Sequence, residues 1–365
     1  MIIDIYTHIA PKTFLDKMVT LAPKLGNIVN RLLAVKPLSD LDLRFKAMDT
    51  VPDYRQLVSL PNPSLEELGP ADTGGELAKI ANDEMADLCR KYPDRFVGFA
   101  AAVHLGDVDA AIREADRAIH QLGAKGVLIY NHVAGVPLDA MRFRPFFAAM
   151  ANWDRPIWLH PTRTASMSDY ASEEKSRFEM WWCFGWPYDT SVAMTRLVFD
   201  GLFDRHPDIK IITHHCGGMI PFFDGRVGAG LEVLGARTSD EDYSQVLSSL
   251  KKPHMDYFKL FYGDTAMFGA TLGVKCGLEF FGPDKIVFAT DAPLGPIKKT
   301  FDGIDGMDLD AATRQQIFYG NAAKLLKQLS VKPRPSRRAF QALLRMRAIL
   351  MFWSLEHQVS LRTSW

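Results

Sequence analysis

Residues 1–11 read MIIDIYTHIAP, an apolar run interrupted only by Asp4 and ending on Tyr6 and His8. A strand covered on one face alternates apolar and polar residues, whereas a nearly continuous run suits a strand buried on both faces of a parallel sheet. Seven further runs follow: RQLVSL (55–60), FVGFAAAV (96–103), KGVLIY (125–130), PIWLHP (156–161), IKIITHH (209–215), FKLFYG (258–263) and KIVFAT (285–290). Between them lie helix-like stretches such as ELAKIANDEMADLCRKY, VDAAIREADRAIHQLG and MRFRPFFAAMANW, and several close on turn signals at Gly123, Asp154 and Pro207. Eight strands, each with a following helical segment, predict an α/β fold, a (β/α)8 barrel. An open doubly wound sheet is the alternative, but no glycine-rich phosphate loop follows the first strand.

Three segments depart from the repeat. Residues 12–50 are expected to form a helical insertion after strand one. Residues 162–190 carry Phe178, Trp181, Trp182, Phe184, Trp186 and Tyr188 and read as an aromatic, lid-like loop. Residues 331–365 open on a KPRPSRR hinge and read as a basic, apolar helical tail with Arg334, Arg337, Arg338, Arg345 and Arg347. The expected organisation is a barrel over 1–330 with an extension over 331–365.

Composition narrows the function classes. The 365 residues are 47% hydrophobic and 24% charged, ordinary for a soluble globular enzyme. Formal net charge is zero, so no global field recruits nucleic acid or an anionic membrane. The four cysteines, Cys89, Cys183, Cys216 and Cys276, form no CxxC pair and read as reduced thiols of a cytoplasmic protein. No signal peptide is visible, and no window reaches the roughly 18–20 apolar residues of a membrane span.

Active sites of such barrels lie at the C-terminal ends of the strands. Here those ends are polar: Asp4, Tyr6 and His8 on strand one, Tyr130-Asn131-His132 after strand four, His160 after five, His214-His215 after six, Asp264 after seven and Asp291 after eight. Any one of these histidines alone reads as a hydrogen-bonded structural residue. Together, imidazoles and carboxylates on convergent rigid supports are the chemistry that holds Zn²⁺ or Mn²⁺. Period-two alternation puts Asp4, Tyr6 and His8 on one face, and puts His214 and His215 on opposite faces, so that one of the pair serves the site. Trp186 and its aromatic neighbours either stack on a planar substrate or pack on neighbouring helices or a dimer partner; Tyr130 either lines the pocket or, the favoured role, packs or caps; and Arg163, directly after HPT, either meets a carboxylate or forms a surface salt bridge. Asp264 either bonds a ligand histidine or caps the next helix.

The stretches IDIYTHIAP, PIWLHPT, FGWPYDTSVAMTRLVFDGLFDRHPDIKIITHHCGGMIPFFDGR and KIVFATDAP, in that order, resemble the amidohydrolase superfamily. The branch is the one that includes aminocarboxymuconate-semialdehyde decarboxylase and γ-resorcylate decarboxylase. The resemblance implies a divalent metal, zinc first and manganese second, on His8, His160 and Asp291. It implies that His215 and Asp291 act on the substrate and that Arg226 grips its carboxylate, in some members across a dimer interface. A homodimer acting on a small carboxylic acid is therefore expected, with no nucleic acid or membrane partner.

Members of the branch usually carry His or Glu at the position of Tyr6. Three arrangements are open here: water replaces that ligand with Tyr6 as an outer partner, Tyr6 binds as phenolate or to metal-bound water, or Tyr6 donates a hydrogen bond to substrate in a metal-poor site. Asp4, Tyr6 and His214 are thus outer partners or substitute ligands. The implied activity is decarboxylation of an aromatic or muconate-type acid. The alternatives are a metal-dependent hydrolase or hydratase, and a non-catalytic barrel that binds a small acid without metal.

Overall fold

A computed structural model describes residues 1–21, 26–236 and 242–327. The tail expected over 331–365 lies outside the described residues. All eight expected strands are present: β1 (Ile2–His8), β2 (Tyr54–Ser59), β3 (Phe96–Ala102), β4 (Gly126–Tyr130), β5 (Ile157–His160), β6 (Ile211–Thr213), β7 (Tyr262–Asp264) and β8 (Ile286–Val287). They pair in sequence order, every pair parallel. The extension of β8 closes the ring onto β1: Ile5 N donates to Phe288 O (3.0 Å), Asp291 N to Tyr6 O (3.2 Å) and His8 N to Ala292 O (2.7 Å). The result is a (β/α)8 barrel whose strands are buried on both sides, which is why their sequences run apolar without alternation.

One strand is shifted from its expected place. The run at 258–263 starts inside a helix (His254–Phe258), and β7 begins only at Tyr262. A short apolar run does not by itself separate a buried helix end from a buried strand, and Phe258 is fully buried in the helix. A small hairpin, His132–Val133 with Val136–Pro137, was not expected.

Packing positions the rim. Trp158 on β5 is fully buried and donates from Nε1 across the barrel to Ile5 O on β1 (2.8 Å). Gly126 admits the close approach of β4 to the start of β5, since a Cβ there would lie 2.0 Å from Pro156 O. The insertion after β1 is helical, as expected, with α1 (Lys12–Leu21), α2 (Gly26–Ala34) and α3 (Leu41–Met48). From α3 the buried Arg44 donates to His8 O (2.6 Å), Thr7 Oγ1 (3.1 Å) and Gln56 Oε1 (2.8 Å), so the insertion clamps the end of β1. The segment 162–190 divides in two. Residues 162–179 form no regular element, and two helices follow, Met180–Cys183 and Gly185–Phe199.

Candidate metal centre

The polar strand ends meet at the mouth of the barrel. β1 delivers His8, β5 delivers His160, and the segment after β6 delivers His214. One nitrogen of each lies within 4.8 Å of the others, and the same limit joins His214, His215 and Asp291. His8 Nε2 sits 3.2 Å from Asp291 Oδ1, and His214 Nε2 sits 3.6 Å from the same oxygen.

The far side of each ring is anchored. His8 Nδ1 lies 3.0 Å from Leu60 O, His160 Nδ1 lies 2.6 Å from Pro161 O, and His214 Nδ1 lies 2.5 Å from Asp264 Oδ2. Each partner is an acceptor, which assigns the proton to Nδ1 and turns the Nε2 lone pair toward the centre. Asp264 is itself held by the backbone N–H groups of Cys216 and Ala266, each at 3.1 Å. It is therefore the carboxylate behind a histidine, the first of the two roles open to it in the sequence.

Among the described residues, the buried atoms His8 Nε2, His214 Nε2 and Asp291 Oδ1 have no hydrogen-bond partner. Buried polar atoms are nearly always satisfied, so several orphans converging on one hollow mark a place for a ligand. Three imidazole nitrogens and a carboxylate form a donor set suited to a divalent transition metal. The residues present fit such an ion.

Burial and the neighbouring charged groups set the electrostatics of the cluster. Burial lowers the proton affinity of His214, yet Asp264 and Asp291 outweigh it and push the ring up to about 9. Burial would raise the Asp291 carboxyl, but the imidazoles of His214 and His8, 3.6 and 3.2 Å away, hold it far below the usual carboxylate range. His160 is kept well below its ordinary value by burial and by its neighbours His8 and His214. His215 is pushed down to about 3, first by burial and then by His214.

The expectation that only one of His214 and His215 faces the site does not hold. β6 ends at Thr213, and His214 is the last extended residue. His215 takes a left-handed backbone (φ 52°), so the alternation of a strand no longer applies and the two rings lie 3.9 Å apart. Asp291 is also left-handed (φ 62°). Such strain in non-glycine residues is uncommon and concentrates at functional sites.

Tyr6 and Asp4 part company. β1 carries one extra residue relative to β2 between Asp4 and Thr7, a bulge that re-aims Tyr6. The Tyr6 ring stacks on His214 (4.0 Å, 15°), and its buried hydroxyl has no partner. Burial, with Asp264 next, lifts the phenol well above its ordinary value, so it stays protonated. Asp4 lies away from the cluster. It accepts from Thr290 Oγ1 (2.5 Å), Thr290 N (3.1 Å), Tyr6 N (3.3 Å) and the Tyr54 hydroxyl, and so staples β1 to the segment that bears Asp291.

Of the expected substrate contacts, Trp186 is buried and lies 5.7 Å from His160 and, nearly parallel, 6.0 Å from His215. The Tyr130 ring lies 5.4 Å from His160 while its hydroxyl donates to Pro61 O (3.2 Å). Arg163 donates to the carbonyls of Met167 and Ser168 within its own loop (3.5 and 3.3 Å), and its carbonyl accepts from Trp186 Nε1 (3.0 Å). Arg226 is exposed and lines a groove with Tyr188, Met219 and Phe223.

Two residues at the mouth escaped the sequence reading. Asn62 lies 3.4 Å from His160 Nδ1, and Arg31 of α2 reaches over Trp182 (4.9 Å) with a buried, unpartnered Nη1. Asn62 lies three residues past the end of β2, a position that could have marked it, whereas Arg31 sits in an insertion helix where nothing local marks it. With Leu32, His160, Trp181, Trp186 and Leu294 they line a narrow crevice at the mouth.

Comparison with known proteins bears on the same geometry. The profile of the amidohydrolase family matches residues 3–328. A γ-resorcylate decarboxylase of Rhodococcus jostii (strain RHA1) is 32% identical over 301 residues, covering 78% of this chain and 87% of the relative. The 2-amino-3-carboxymuconate-6-semialdehyde decarboxylase of Dictyostelium discoideum is 24% identical over 89% of this chain and 91% of its own length. The solved 5-carboxyvanillate decarboxylase of Novosphingobium aromaticivorans, complexed with manganese and 4-hydroxy-3-methoxy-5-nitrobenzoic acid, superposes with a TM-score of 0.77 at 26% identity, covering 90% and 96% of the two chains. With its barrel, its histidine-lined mouth and this match over nearly the whole described length, the chain belongs to the amidohydrolase family.

Proposed function

We propose that this protein is a metal-dependent carboxy-lyase that removes CO₂ from a small aromatic or muconate-type acid without oxidation. The observation that carries the reading is the set of inward-facing, unpartnered Nε2 and Oδ1 atoms of His8, His214 and Asp291, beside His160, at the mouth of a barrel whose relatives are named as decarboxylases. His8, His160 and Asp291 hold the metal. The excess of imidazole over carboxylate favours Zn²⁺, and the manganese of the carboxyvanillate decarboxylase makes Mn²⁺ the alternative. When bound, the ion supplies positive charge that fixes the acid and stabilises its developing anion.

The protein groups do the rest. Trp186 stacks on the planar substrate and keeps water out. Arg226, exposed on its helix, meets the carboxylate of substrate held by a second copy of the chain, and Arg163 ties its own loop to Trp186 through its carbonyl. Asp291 is ionised in the resting site, so the proton it delivers is first taken from an acidic group of the incoming substrate. It then passes that proton to the carboxyl-bearing carbon. The C–C bond to the carboxylate breaks, its electron pair returns to the ring or enol, and CO₂ leaves. His215, uncharged and beside Asp291, donates a hydrogen bond to the oxygen on which charge develops.

The test is CO₂ release from a panel of hydroxybenzoates by metal-loaded protein, with Asp291→Asn abolishing it. Ring opening or C–N cleavage without CO₂ would turn the reading to a hydrolase. Tight binding of the acids without turnover would turn it to a binding barrel.

A further inference from the structure

Among the described residues, two trios of metal-binding side chains lie within ligand distance, and His214 alone belongs to both. It joins the histidine side of the cluster, His8 and His160, to the acidic side, Asp291. Its Nε2 is buried and unpartnered, while its Nδ1 is committed to Asp264 at 2.5 Å. Its ring plane is set from one side by Tyr6, stacked at 4.0 Å, and the His215 ring lies 3.9 Å away. A histidine so oriented, with a carboxylate behind it and a free lone pair ahead, has the outer support that metal-ligating imidazoles receive.

Tyr6 lacks the matching qualities. Its hydroxyl is buried and has no hydrogen-bond partner among the described residues, and its ring lies stacked on His214 at 4.0 Å. We propose that His214 is a direct metal ligand through Nε2, that Asp264 orients it, and that it occupies the coordination position Tyr6 does not fill. The inference rests on the reading of His8, His160 and Asp291 as a metal site and extends it to a ligand set of three imidazoles and one carboxylate. The competing role for His214 is a charged imidazolium locked between Asp264 and Asp291, which binds no metal.

Metal affinity separates the two without any substrate. Protein stripped by chelator is titrated with Zn²⁺ against a competing indicator, and the Co²⁺ form is followed by visible absorption, for wild type, His8→Ala, His214→Ala and Asp264→Asn. His214→Ala is expected to weaken Zn²⁺ binding by more than about 100-fold, beyond the 10–100-fold typical of losing an outer partner, which is the loss expected of Asp264→Asn. If His8→Ala loses the metal while His214→Ala binds as wild type does, the inference is overturned and the metal site stands. If neither substitution weakens binding, the metal site itself fails and the inference with it. Should His214→Ala not fold, X-ray absorption of the Zn²⁺-loaded His215→Gln variant decides: three coordinated imidazoles support the proposal and two overturn it.

Discussion

Replacing Arg44 by methionine isolates the contribution of the insertion to the site. The guanidinium is buried and makes four hydrogen bonds, three of them close, to His8 O, Thr7 Oγ1 and Gln56 Oε1, and a long one to Pro37 O (3.5 Å). Charge-assisted bonds of this kind contribute about 1.5–3 kcal/mol each. Against them stands the cost of burying the charge. Burial pushes Arg44 down to about 10, with Tyr54 and Asp4 opposing it, a penalty of about 3 kcal/mol that the substitution returns. The net loss expected of Arg44→Met is about 2–5 kcal/mol, near the upper end for a single substitution. For a chain of this size the melting temperature drops by roughly 3–7 °C. Because His8 O loses its donor, the end of β1 loosens, and metal affinity falls by about tenfold, as for a lost outer partner. Calorimetry of the metal-free protein and chelator competition of the loaded protein measure the two effects. A variant that melts and binds metal as wild type does would refute the clamp.

Three further outcomes are expected. Burial pushes the Asp4 carboxyl up to about 7 in spite of donors on Thr290, Tyr54 and Tyr6, whereas the unfolded chain titrates near 3.9. Between these values the folded state holds more protons, so stability falls as pH rises from about 4 to 7, by at most about 4 kcal/mol, and levels off above. Urea unfolding of metal-free Asp4→Asn should lack that component of the slope, and an unchanged slope would contradict it. Gly277 packs its helix against the His215 turn so closely that a Cβ would lie 2.2 Å from Cys216 Sγ. Gly277→Ala should lower both melting temperature and CO₂ release, and Cys216→Gly in that background, which also suits the left-handed backbone there (φ 55°), should restore them. The partnerless Tyr6 hydroxyl costs desolvation in metal-free protein, so Tyr6→Phe should stabilise that form by about 1 kcal/mol. A drop in its melting temperature would reveal a hydrogen bond for the phenol.

The barrel was legible from local pattern alone. Runs of apolar residues too continuous for a one-sided sheet demand cover on both faces, and the polar residue types at their ends, His8, His160, His214, Asp264 and Asp291, mark the rim whatever the detailed geometry. Residue order therefore determined the fold class and the candidate ligands. It did not determine which atoms face one another. The left-handed turn at His215 cancels the strand alternation, the bulge at Tyr6 re-aims that ring, and Asp4 is drawn away into a staple with Thr290 and Tyr54. Arg44 and Arg31 reach the mouth from helices of the insertion, which carry no motif. The joining of Asp264 to His214 spans 50 residues of sequence. Such facts depend on contacts between distant parts of the chain, and only the closed barrel brings those parts within bonding distance.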